Sequence, residues 1–77
     1  MTPTPLSNLQ LGEKGVVSSF ELDSETRQRL SEMGLTKGVE CMLVRIAPMG
    51  DPIEIMVRGY RLSLRKSEAG GVLIARS

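Results

Sequence analysis

A mainly β fold, a small and partly open barrel of about five strands with one short helix, is what this chain predicts. Three observations carry that prediction. Apolar residues alternate over short stretches, glycine or proline separates those stretches, and only one segment has helical spacing. The length of 77 residues allows one small domain. A domain of this size buries only about 60% of its unfolded surface, so a large cofactor cleft is not expected.

Residues 1–5 contain two alternating prolines and read as an extended N-terminal tail, with the barrel domain spanning 6–77. Leu6, Leu9 and Leu11 supply anchors before a turn bracketed by Gly12 and Gly15. From Gly15 to Leu22 the pattern alternates, with Val16, Phe20 and Leu22 expected on the inner face. Asp23 or Ser24 is expected to cap a helix from Ser24 to Met33, with Glu25 at its positive end. Leu30 and Met33 share one face of it. Gly34 follows at once, where a helix commonly stops in a left-handed residue. Gly38 is a second turn.

Val39–Ile46 has no clean alternation and reads as a strand covered on both faces. Pro48-Met49-Gly50-Asp51-Pro52 is a loop. Ile53, Ile55 and Val57 point inward along the next strand, and Leu62 and Leu64 along the one after Gly59. Lys66–Gly71 is a turn, or one tight helical turn, before a last strand at Val72–Ala75 that could close the sheet.

Charge is close to balanced at +1, but unevenly placed. Residues 1–40 carry four basic and six acidic side chains; residues 41–77 carry six and three. The chain has one cysteine and no histidine, which argues against a disulfide and against a nitrogen- and sulfur-ligated metal site within one chain. Cys41 reads as a small buried hydrophobe, since no basic neighbour in sequence would activate it. No phosphate-binding loop and no nucleophile elbow is present. Gly34-x-x-x-Gly38 follows a helix, so the helix dipole there has the wrong sign to cradle phosphate. No catalytic residue, cofactor site or metal site is assigned. The first residues lack the basic start and apolar run of a leader, and no apolar run approaches the roughly 20 residues that span a bilayer. A cytoplasmic protein without direct membrane insertion is expected.

The order Leu9, Gly12, Gly15, then Arg29-Leu30-x-Glu32-Met33-Gly34-Leu35-x-x-Gly38, then Pro48-x-Gly50-Asp51-Pro52, Gly59 and Leu62-x-Leu64-Arg65-x-x-Glu68-Ala69 resembles the ferrous iron transport protein A (FeoA) family over nearly the whole chain. The resemblance implies an SH3-like barrel with a helical insertion after the first strand. It implies an accessory role in bacterial ferrous iron uptake, beside a membrane transporter with a GTP-binding domain, and transition-metal binding only at the level of the family name. A similar barrel ends the iron-dependent repressors; with no room here for their helix-turn-helix, the free-standing accessory form is expected.

Protein–protein recognition is therefore the leading reading. The candidate surface combines the helix end (Arg29, Glu32 and Met33), the loop (Met49, Gly50 and Asp51) and Arg65. The alternative is a regulator that binds nucleic acid or a transition metal through Arg45, Arg58, Arg61, Arg65 and Lys66. Single-strand binding needs aromatic platforms, and only Phe20 and Tyr60 are available, so no nucleic-acid partner is assigned. Exposed strand edges leave a homodimer open.

Overall fold

The computed structural model describes residues 3–76. Along the chain run β1 (Thr4–Pro5), a 3₁₀ turn (Leu6–Asn8), β2 (Lys14–Phe20), α1 (Ser24–Glu32), β3 (Glu40–Ile46), β4 (Ile53–Val57), β5 (Tyr60–Leu64), α2 (Lys66–Ala69) and β6 (Val72–Arg76). The six strands form one antiparallel sheet in the order β1-β6-β2-β3-β4-β5. It curls around a single apolar core, and β1 and β5 are its two edges. β6 therefore does not close the sheet onto β5; it pairs with β1 and β2.

The sixth strand lies where a free tail was expected. Thr4 pairs with Ile74 and Pro5 with Leu73. Proline is tolerated because β1 is an edge, where the missing N–H costs no ladder bond. Only residues 1 and 2 of the expected tail lie outside the described residues. With β1 counted, the helix follows the second strand.

β2 corrects a face assignment. Val17, not Val16, is buried. Val17 pairs with Ile74 and Ser19 with Leu73, so two residues on β2 face one step on β6. That β-bulge reverses the alternation and returns Phe20 to the core side, where it and Leu22 pack against the buried cluster. β3 departs from expectation as well. Val39, Cys41 and Leu43 are buried, whereas Met42 and Val44 are half-buried and Ile46 is exposed. One of its faces is core and the other meets solvent.

α1 begins as expected, with the Asp23 carboxylate accepting the Thr26 N–H at 3.3 Å. Hydrogen bonds from Thr26, side chain first and backbone second, hold the Asp23 carboxyl below its ordinary range. The helix stops one residue early, with Met33 as its C-cap. Gly34 takes φ +97°, its N–H bonds the Ser31 carbonyl, and the Leu35 N–H reaches back to the Leu30 carbonyl, each at 3.0 Å. These two bonds make a Schellman motif, and its usual apolar contact is available because Leu30 and Leu35 are both buried. This stop fixes the direction in which the chain leaves the helix.

Candidate docking surface where the helix end meets the loop

The end of α1 is tied to the barrel from two sides. Tyr60, the first residue of β5, donates its hydroxyl to the Met33 carbonyl. It can come that close because Gly34 has no side chain: a Cβ there would sit on the Tyr60 hydroxyl. On the other side, the Arg29 guanidinium pairs with the Glu68 carboxylate of α2. Glu68 also accepts the Arg65 N–H at 3.0 Å, which caps the start of α2. The loop joins the same junction. Asp51 accepts the Lys66 N–H at 2.9 Å, so the β3–β4 loop and α2 share a hydrogen bond.

A shallow groove runs through this junction. It is lined by Arg29 and Met33 from the helix, Pro52 from the loop, Ser63, Leu64 and Arg65 from the end of β5, and Glu68. Four of the seven residues expected on the surface thus meet here. Arg29, Met33 and Arg65 line the groove, and Asp51 sits at its edge through Lys66. Glu32 does not line the groove; it borders an adjoining surface of α1 with Glu25, Thr26, Gln28 and Arg29, the last shared between the two. Gly50 turns the loop at φ +87°, with its N–H on the Ala47 carbonyl at 2.7 Å. Met49, beside it, is 92% exposed.

The six side chains among these residues are not equally free. Arg29 is engaged by Glu68, and Asp51 by Lys66. Met33 packs against the core while its carbonyl receives Tyr60. Of these, Glu32, Met49 and Arg65 have side chains with no recorded hydrogen bond or ion pair among the described residues, and of the three Met49 and Arg65 lie at or beside the groove. Sequence reasoning left Tyr60 and Glu68 out of this site. Glu68 was open to discovery, since Arg65-x-x-Glu68 has the spacing of a capping box. Tyr60 carried no local signal, because its partner lies 27 residues away.

The groove presents two arginines, one glutamate, a methionine edge and a proline on fixed backbone. The FeoA domain family model matches residues 4–76. The chain belongs to the FeoA family. FeoA domains are associated with ferrous iron transport, and one relative joins the domain to a transporter. The Fe(2+) transport protein A/Fe(2+) transporter FeoB fusion protein of Porphyromonas gingivalis is 33% identical over 67 residues, covering 87% of this chain and 8% of that protein. The chain thus spans a small fraction of the length of this curated relative. Among solved structures, the FeoA-like protein of Clostridium acetobutylicum superposes with a TM-score of 0.90 at 37% identity, covering 99% of this chain and 88% of that one. FeoA of Stenotrophomonas maltophilia, complexed with zinc and described as an SH3 domain protein, superposes at 0.77 with 37% identity, covering 97% and 89%. The barrel is SH3-like, as the resemblance implied.

The donor set of this chain fits a transition-metal site poorly. Among the described residues no three or more cysteine, aspartate, glutamate or histidine side chains are grouped to hold an ion. Cys41 is 1% exposed, and burial, with the Glu40 carboxylate second, pushes its thiol up to about 11. Among the described residues no helix is long and apolar enough to cross a membrane.

Proposed function

We propose that this FeoA-family chain acts in the cytoplasm as an accessory protein of ferrous iron uptake, docking on the membrane transporter FeoB and regulating it without chemistry of its own. The observation that carries this reading is the Porphyromonas relative, in which a similar domain and FeoB are one polypeptide. Fusion holds two partners at high effective concentration, which suits domains that work in contact. The groove at the end of α1, with Arg65 on its rim and Met49 on the adjoining loop, supplies the contact. The backbone around it is held by Tyr60, Glu68 and Asp51, so the ordering cost left on binding is mainly that of the two side chains. Any GTP hydrolysis belongs to the transporter.

The test is co-purification of the intact transporter with this chain, with and without guanine nucleotide, alongside a Met49→Ser/Arg65→Glu double variant. Retention of the transporter by the wild-type chain and its loss by the variant, at unchanged melting temperature, is the expected result. Failure of the wild-type chain to retain the transporter in either nucleotide state would overturn the docking role. Equal retention by the variant would move the contact to another face.

A further inference from the structure

On the outer face of the sheet, Lys14 pairs with Met42, Met42 with Met56 and Met56 with Arg61, so four strands lay two methionines between two cations. Glu40 stands one row above, and Arg58 occupies the β4–β5 turn beside it. One row below, Arg45 pairs with Glu54 at 3.1 Å. Lys14, Glu40, Met42, Met56 and Arg58 line one open groove. Both methionines are half-buried on a face that the core does not use.

We infer that this groove binds an acidic protein segment that carries an aliphatic side chain between its carboxylates. Charge decides the sign of the occupant. The face carries Lys14, Arg45, Arg58 and Arg61 against Glu40 and Glu54, an excess of basic groups on a chain whose net charge is only +1. Arg45 and Arg61 already lean on Glu54. Lys14 and Arg58 have no recorded acidic partner among the described residues and are available to a ligand. The floor decides its apolar part. Two unbranched thioethers side by side adapt to an aliphatic group of varied shape. A single-stranded nucleic acid fits less well, since the floor has no aromatic ring for a base to stack on.

Arg58 adds an independent observation. It takes φ +50°, with Gly59 at +85°, in a two-residue hairpin turn. Such a turn favours asparagine or glycine at the arginine's place. Arginine is there against its backbone preference, which is the pattern of a side chain held for contact rather than for folding. This inference does not depend on docking to FeoB.

The experiment titrates the isotopically labelled full chain with the peptide acetyl-Ser-Asp-Glu-Leu-Ser-Leu-Glu-Asp-Ser-amide and follows backbone amide shifts. Shifts confined to residues 14, 40–42 and 56–61 are expected. A Lys14→Gln/Arg58→Asn variant should weaken binding about tenfold, and salt should weaken it further. Because asparagine suits the turn better than arginine, that variant should melt no lower than wild type, which separates lost binding from lost folding. A control peptide with serine in place of both leucines should bind more weakly by about threefold or more. Absence of shifts at millimolar peptide, shifts centred on the α1 groove, or full-strength binding by the variant would each overturn the proposal. So would tighter binding of a short oligothymidylate to the same amides.

Discussion

The end of α1 and the tip of the β3–β4 loop lie on the same side of the molecule and are built in opposite ways. At the helix end most of the free carbonyls are committed. The Schellman bonds take Ser31 and Leu30, Tyr60 takes Met33, and Arg29 is held by Glu68. The loop has one bond to the rest of the junction, Asp51 to Lys66, and Met49 projects into solvent. The difference teaches that a candidate surface of seven residues can hold two kinds of part. One kind sets geometry and is costly to alter. The other is free to touch a partner and cheap to alter. Stability and iron-uptake measurements therefore separate them.

Gly34→Ala should be the most damaging change. It places a side chain in a left-handed conformation, at about 1–2 kcal/mol, and drives a methyl group into the Tyr60 hydroxyl. Loss of that hydrogen bond adds roughly 1 kcal/mol, so the melting temperature should fall by roughly 10–20 °C. A double-mutant cycle sharpens this. Tyr60→Phe removes the hydroxyl that the new methyl strikes, so the two changes together should cost less than their sum. Strict additivity in thermal melts would mean that Tyr60 and Gly34 are not coupled.

The same contrast explains what could be read in the sequence. The helix, its Asp23 cap and its glycine stop were legible because they depend on residues three to five apart. The burial of Ile53, Ile55, Val57, Leu62 and Leu64 followed from alternation, whereas Cys41 and Leu43 were expected inside only as part of a strand covered on both faces. The inward face of β2 was misread because a bulge near Ser18 breaks the alternation, and nothing in a run of Val-Val-Ser-Ser marks where. β1 was missed because two residues are too few for a pattern, and prolines usually argue against pairing. At the candidate site, Arg29, Met33 and Arg65 were found on the groove. Tyr60 was not, because the contact that gives it meaning is made by the fold alone.

Glu68→Ala should have the next largest effect, because one carboxylate serves two elements. It caps α2 through the Arg65 N–H and holds Arg29. Loss of a cap costs about 1 kcal/mol. The ion pair adds little, since the Arg29 side chain is more than half exposed and screened by solvent. Arg29→Ala should therefore cost clearly less than Glu68→Ala, by thermal melts at the same salt. Equal losses would show that the ion pair, not the cap, is what matters at α2. Asp51→Ala should also fall below Glu68→Ala, at about 0.5–1 kcal/mol, because it removes a single exposed hydrogen bond to the Lys66 N–H.

Met49→Ser should leave the melting temperature unchanged within about 0.5 kcal/mol of stability, since 92% of the residue already faces water and no core contact is lost. An exposed methionine on a turn that Gly50 and Asp51 fix in place gives the folded chain nothing in return for the water it orders. Its burial against a partner would recover that free energy, on the order of 1–2 kcal/mol for a side chain of this size. Ferrous iron uptake in cells that depend on this chain should then fall several-fold with Met49→Ser and recover with Met49→Leu, which restores apolar area without the thioether. A drop in uptake matched by a drop in melting temperature would place Met49 with the structural residues at the helix end. Uptake at wild-type level, in a chain of wild-type stability, would remove the loop tip from the contact and leave Arg65 and the groove to make it.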